Sequence, residues 1–230
     1  MRSAVLASVA VVVTAVASYF AFLPEWSGTW QLWALAAGPS VVLGAAALAR
    51  ASHEGLLREW LSPKSGDFTW GVSSAAGLFG VAWGLARVVA PVGSTREIWL
   101  ASLYGQIGNP RVLQAHAPMV AAAIAVAALA EEVVWRGAVT RLLAERVGSR
   151  WAWAWAAGLY ALAYVPTAWS LRAPDGSSAG LNPVLPLAAL GAGLLWGAMA
   201  RALGRLAPGI LAHALFDWAV LMMFPLWGLR

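Results

Sequence analysis

The sequence predicts an all-α membrane protein, a polytopic helix bundle of about seven transmembrane helices with short interfacial helices between them. Three observations predict it. The 230 residues are 61% hydrophobic and only 11% charged, against about 25% charged in a soluble domain. Apolar runs of roughly 20 residues, the length that crosses a bilayer, recur along the whole chain. No alternating, strand-like segments repeat, which argues against a barrel. The 15 Trp suit interfacial belts, where an indole keeps its ring in apolar surroundings and its N–H wet. Residues 1–230 read as one integral-membrane domain, with N-terminal spans over 1–116 and a core bearing polar motifs over 117–227.

The first span runs from Ala4 to about Leu23. A cleaved leader would have a shorter apolar core and a small-residue cleavage site, so this run reads as a retained span, a cleaved signal being the alternative. The second covers Thr29 to Ala49, with Trp26, Trp30 and Trp33 clustered at its start. In the polar connection Arg50 to Phe68, Leu56, Leu57, Trp60 and Leu61 share one helical face and predict a short interfacial helix. The third span runs from Trp70 to Ala90, where Gly80 and Gly84 have the spacing that lets another helix approach. Ser94-Thr95-Arg96-Glu97 has the form of a capping box. It precedes Leu100, Leu103, Tyr104 and Ile107, the apolar stripe of a second interfacial helix. The fourth span is Ala117 to Thr140, the fifth Trp151 to Trp169, the sixth Pro183 to Ala200 with Gly193 and Gly197 at close-packing spacing, and the seventh Ala207 to Trp227. Arg172 to Asn182 is a loop rich in Pro, Gly and Ser.

The formal charge is +5, and fourteen of the fifteen basic residues are Arg. They are scattered over short loops, which points to membrane topology rather than to nucleic acid. With the N-terminus inside, Arg2, Arg50, Arg58, Lys64, Arg141, Arg146, Arg150, Arg201 and Arg205 lie on the cytoplasmic side. Arg96, Arg111, Arg172 and Arg230 lie outside, and Arg87 and Arg136 fall within spans. Nine against four favours a cytoplasmic N-terminus. There is no Cys, hence no disulfide and no thiolate chemistry.

Charges inside the spans are few and therefore informative. Ala117 to Ala130 carries none, and then come Glu131, Glu132 and Arg136. A charge deep in a bilayer costs at least about 2.5–3.5 kcal/mol before compensation. Glu132 and Arg136 are i and i+4, acid first, the better order for an ion pair. Glu131 lies about 100° round the helix and escapes direct neutralisation by Arg136. It is left as a carboxylate in low dielectric, the environment a general base needs. The plainer alternative is a helix that ends at the membrane surface with both acids already in water.

A second polar cluster lies in the seventh span. His213 and Asp217 are i and i+4 on one face, so Asp217 is placed to accept the imidazole N–H and set the tautomer. His213 lies roughly 9 Å from its helix start and Glu131 roughly 15 Å from the inner end of its own helix, comparable depths from the same side. Together they supply a base and an imidazole for one reacting group. The plainer alternative here is a buried His satisfied by a carboxylate for packing alone.

The motifs Glu131-Glu132-x-x-x-Arg136 and His213-x-x-x-Asp217 resemble those of the CAAX-protease and bacteriocin-processing family (CPBP, also called Abi) of intramembrane endopeptidases, over roughly Met119 to Met222. The family's middle motif, Phe-x-x-x-His, is altered: Tyr160 stands in place of Phe and Tyr164 in place of His. The resemblance implies that Glu131 activates a water for attack on a peptide bond near the cytoplasmic face. It implies that Glu132 and Arg136 hold the site together as an ion pair, and that His213, oriented by Asp217, polarises the carbonyl or stabilises its oxyanion. Tyr164 would assist as a donor, since a phenol titrating at about 10 is a poor base at neutral pH. No cofactor is expected. Zinc is a minor alternative through Glu131, His213 and Asp217, a thin donor set with a single His.

The resemblance also implies a lipid bilayer and a membrane-associated or lipid-anchored peptide as partners, no nucleic acid, and residence in a bacterial plasma membrane. Two other readings stay open. One is a catalytically silent relative that binds such a peptide, as an immunity or scaffold protein would, because Tyr164 replaces the His. The other is a transporter using Glu131 and His213 as a proton relay, although no pair of Gly- or Pro-broken helices occurs in matching halves.

Overall fold

The computed structural model describes residues 2–171 and 180–227, and every regular element among them is a helix. In order these are α1 (Arg2–Ala21), a 3-10 turn (Pro24–Trp26), α2 (Trp30–His53), α3 (Leu57–Leu61), α4 (Asp67–Val89), α5 (Glu97–Ile107) and α6 (Pro110–Ala115). Then follow α7 (Ala117–Glu132), a π turn (Val133–Val139), α8 (Thr140–Val147), α9 (Ala152–Tyr164), α10 (Thr167–Ser170), α11 (Val184–Leu203) and α12 (Ala207–Trp218), the last running into a second π turn (Ala219–Met223). Residues 172–179 of the loop before α11, and Arg230, lie outside the described residues.

Among the described residues five helical stretches are long and apolar enough to cross a membrane: Ser3–Ala21, Trp30–His53, Asp67–Val89, Ala117–Val147 and Val184–Leu203. They correspond to the expected spans one to four and six. The stretches expected as spans five and seven form shorter helices. The 13 residues of α9 rise roughly 20 Å, short of a hydrocarbon core of about 30 Å. Pro166, just beyond its end, has no N–H with which to continue the helical ladder, and the chain resumes as α10. The apolar helix Ala207–Met223 stops two residues short of Pro225.

The continuous rod Ala117–Val147 is the most buried of the long helices and α4 the least. The rod packs on α2 and α12, α9 packs on α11 and α1, and α4 leans mainly on α12. Glycines mark the tightest crossings. A Cβ added at Gly44 would lie 3.1 Å from the Ala130 Cα, and one at Gly193 would lie 3.0 Å from the Ala157 Cβ. Gly197 faces Trp153 in the same α9–α11 contact, as its spacing predicts. Gly80 and Gly84 do not follow their prediction: among the described residues no neighbouring helix comes within 4 Å of a Cβ added at either. The glycine of α4 that admits a neighbour is Gly71, against Leu211 of α12. Small residues permit approach but do not supply a partner, and α4 meets its partner nearer its start.

Both predicted interfacial helices form, and both are docked onto the bundle. Trp60 of α3 is buried over Gly137, where an added Cβ would fall 2.8 Å from the indole. Its carbonyl accepts the Leu206 N–H at 2.9 Å. In α5, Leu100, Leu103, Tyr104 and Ile107 are all buried. The capping box before α5 does not form. Arg96 occupies the cap position with helical backbone and no side-chain cap bond, while the Glu97 carboxylate accepts the Gly93 N–H at 2.5 Å.

Several of the residues expected on the cytoplasmic side link the ends of neighbouring helices. Arg141 reaches Glu54 at 3.4 Å, Arg201 donates to the Ser149 carbonyl at 2.7 Å, and Ser3 donates to Glu145. Arg205 grips Asp67 through Nε and Nη2, the shorter contact being 2.5 Å. This last pair ties the start of α4 to the α11–α12 turn; outside the spans, Asp67 holds the Arg205 guanidinium above its usual range by hydrogen bond and charge.

Candidate active site

Glu131 and Glu132 close α7, and the backbone then widens into the π turn Val133–Val139. Such turns occur often at functional sites. The Thr140 hydroxyl donates to the Trp135 carbonyl at 2.8 Å across this turn. On α12 a π turn likewise follows, directly after Asp217-Trp218. Each motif helix thus changes its winding just beyond its acids, a feature that side-chain periodicity does not announce.

The two adjacent acids face different partners. Glu131 is buried; its Oε2 accepts from the Tyr160 hydroxyl and its Oε1 from the Tyr164 hydroxyl at 3.1 Å. Tyr160 is buried and Tyr164 half-buried. Their rings meet edge to face at 5.3 Å, and Tyr160 in turn packs on Trp135 at 5.2 Å. The two phenols that depart from the family pattern therefore both address Glu131, one on each oxygen.

Glu132 is 0% exposed and joins two cations or potential cations. Its Oε1 lies 3.0 Å from Arg136 Nη1 and 3.1 Å from His213 Nδ1. The Arg136 contact is an ion pair by distance, while its angle falls outside hydrogen-bond geometry. Both Arg136 Nη atoms and Glu132 Oε2 have no hydrogen-bond partner among the described residues. The guanidinium instead lies over aromatic faces, 4.6 Å from the Tyr160 ring and 5.4 Å from the Trp196 ring, where the ring quadrupoles attract a cation.

The orientation of His213 differs from the sequence expectation. Asp217 was the expected acceptor of its N–H. In the structure Glu132 is the closer carboxylate, at Nδ1, and Asp217 Oδ2 stands 3.5 Å from Nε2, longer than a normal N–H···O bond. The cause is Gly209, one turn earlier on α12. A Cβ there would lie 3.0 Å from Glu132 Oε2, so its absence lets α12 close onto Glu132. Asp217 remains half-exposed at the edge of the cluster.

Glu131 and His213 thus belong to one cluster, linked through Tyr160, Arg136 and Glu132. Among the described residues no group of three or more His, Asp or Glu is placed to hold a metal ion.

Two side chains in the cluster were not singled out from the sequence. Trp135 and Trp196 are each 1% exposed, against the expectation that tryptophans serve interfacial belts. Trp196 stacks on His213 with centroids 4.2 Å apart and planes 27° apart. Its neighbour Gly197, which lets α9 come close, was the one local sign that this part of α11 faces the interior.

Residues 113–219 match the family model described as "Rce1-like: Type II CAAX prenyl endopeptidase Rce1-like". No curated protein and no solved structure matches the chain. The matched stretch, just under half of the chain, carries Glu131, Glu132, Arg136, Tyr160, Tyr164, Trp196, His213 and Asp217. Over these residues the chain is similar to the type II CAAX prenyl endopeptidase family, in keeping with the resemblance its motifs carry, and it is built as a helical membrane bundle.

Proposed function

We propose that the protein is an intramembrane endopeptidase that hydrolyses a peptide bond of a membrane-associated or lipid-anchored substrate. The reaction is placed near the cytoplasmic face of a bacterial plasma membrane, with the N-terminus cytoplasmic. The observation that carries the reading is the Glu131 carboxylate. It is buried, held by two phenols and adjacent to the acid that grips His213, and no Arg pairs with it among the described residues.

In this mechanism Glu131 takes a proton from a water as the water oxygen bonds to the scissile carbonyl carbon. Each carboxylate oxygen has two lone pairs, so the phenol bonds leave room for that water. The carbonyl oxygen becomes an oxyanion. Tyr164, the half-exposed phenol, turns its O–H from Glu131 towards that oxyanion, while Tyr160 keeps the carboxylate in place. His213, when protonated, has an N–H on both nitrogens; Glu132 holds Nδ1 and Nε2 polarises the carbonyl. The C–N bond then breaks, and Glu131 returns its proton to the leaving amine. Exclusion of bulk water strengthens each of these interactions.

A second reading has its own observation. Tyr160 and Tyr164 engage both Glu131 oxygens, which suits a silent relative that binds a peptide without cutting it. Purified protein in detergent, offered a peptide library, separates the two. Cleavage by the wild type that is lost in Glu131→Ala supports the enzyme. Cleavage that appears only in Tyr164→His supports the silent relative and overturns the mechanism.

A further inference from the structure

The helix α11 contributes no residue to any of the three motifs, yet it places one side chain at the centre of the cluster. Trp196 is 1% exposed. One of its contacts is the His213 ring, stacked at 4.2 Å. Another is the Arg136 guanidinium, 5.4 Å from its centroid. Glu132 Oε1 joins the same two groups, at 3.0 Å to Arg136 and 3.1 Å to His213. His213, Glu132, Arg136 and Trp196 thus form a closed circuit drawn from α12, α7, the π turn and α11.

This circuit restrains the imidazole in two independent ways. A bond from Nδ1 to Glu132 sets where the ring points but leaves it free to turn about that bond. A flat neighbour against one face removes that rotation. A planar contact is what a side chain with two soft torsions needs, because the terminal torsion of His is broad and roughly two-fold. The indole N–H of Trp196 has no hydrogen-bond partner among the described residues, so the side chain contributes through its ring face. An aliphatic residue would fill the same space without orienting a ring, and would present no negative π face to Arg136 or to a protonated His213.

We infer that Trp196 is a positioning residue that holds the plane of the His213 imidazole, so that Nδ1 stays on Glu132 and Nε2 faces the Asp217 edge of the site. Its part in turnover rests on the endopeptidase reading above; its hold on the ring does not. Trp196 touches no reacting atom and acts through His213.

The experiment uses the full chain in detergent micelles with isotope-labelled histidine. The chain has three His, and His53 and His116 are exposed. A background with His53→Gln and His116→Gln leaves His213 as the single imidazole signal. In that background the wild-type indole should give cross-relaxation to the His213 ring, with one tautomer and ring protons shielded by the stack. Trp196→Phe, which keeps a flat face, should retain most of this pattern and most of the peptidase activity. Trp196→Leu should split or move the His213 signals, and kcat should fall on the order of 10- to 100-fold with KM little changed.

Loss of orientation in Trp196→Leu supports the inference, even if neither the wild type nor any variant cleaves peptide; in that event the endopeptidase reading falls and the positioning role stands. Trp196→Leu and Trp196→Phe that are indistinguishable in the His213 spectrum overturn it. Should Trp196→Leu fail to fold, the wild-type measurement decides: absence of indole-to-imidazole cross-relaxation overturns the inference.

Discussion

Glu131 and Glu132 are neighbours in the chain and belong to opposite sides of the site. The Glu132 side is sealed: a 0% exposed carboxylate, the Arg136 guanidinium between Tyr160 and Trp196, and His213 under Trp196. The Glu131 side reaches the rim: its carboxylate is held by one buried phenol and by one half-exposed phenol, Tyr164. Adjacent positions on one helix thus hold a carboxylate paired with Arg136 and His213 and a carboxylate that accepts from two phenols. The contrast teaches that two acids of the same type are told apart by what other helices bring to them. Glu132 meets a cation on its own helix and an imidazole from α12, whereas Glu131 meets only neutral donors from α9.

The comparison can be broken most severely through Glu131. Glu131→Gln should lower the rate of peptide cleavage by about 10²–10⁴-fold, the usual worth of a general base, with little change in thermal stability. A stable, fully active Glu131→Gln protein would remove the chemistry from the rim. Glu132→Ala should act the other way. It leaves Arg136 as an uncompensated buried charge and should cost about 3–5 kcal/mol of stability, read by denaturant titration in detergent. If Glu132→Ala unfolds at the same denaturant concentration as the wild type, the sealed side does not stabilise the bundle.

The two phenols sharpen the contrast. Tyr164→Phe should reduce kcat by about 10²–10³-fold, as for loss of one oxyanion donor, with the fold kept. Tyr160→Phe should show the larger share of its effect in stability, since its hydroxyl is a buried donor to the Glu131 carboxylate. Equal activity losses without any loss of stability would mean that the two phenols are equivalent. The smallest effects separate the two ends of α4. Gly71→Ala should cost about 1–3 kcal/mol by overpacking against Leu211, while Gly80→Ala should be neutral or stabilising by up to about 1 kcal/mol from helix propensity.

Parts of this were legible in the amino-acid order because they are local. The pairing of Glu132 with Arg136 follows from a four-residue spacing on one helix. The buried stripe Leu100, Leu103, Tyr104, Ile107 follows from helical periodicity. Other features were not legible because their causes lie elsewhere in space. Gly80 and Gly84 have the same spacing as Gly193 and Gly197, but only the latter pair has a helix against it. The spacing places Asp217 beside His213, and the structure adds a closer carboxylate, Glu132, which arrives from α7 where Gly209 leaves room. The shortening of α9 relative to the expected fifth span was readable from Pro166, a signal outweighed by the continuous apolar run around it.

By itself the sequence determined that this chain makes apolar helices and that the motifs Glu131-Glu132-Arg136 and His213-Asp217 sit on two of them. Hydrophobicity and helical spacing are properties of contiguous residues, so they survive without knowledge of the fold. The tertiary structure alone decided which carboxylate faces an imidazole and which faces two phenols. It also decided that a tryptophan from a helix without motifs lies flat on the one buried histidine. Those assignments depend on how helices far apart in the chain cross, and crossing is set by shape at the contact rather than by any residue's own preference.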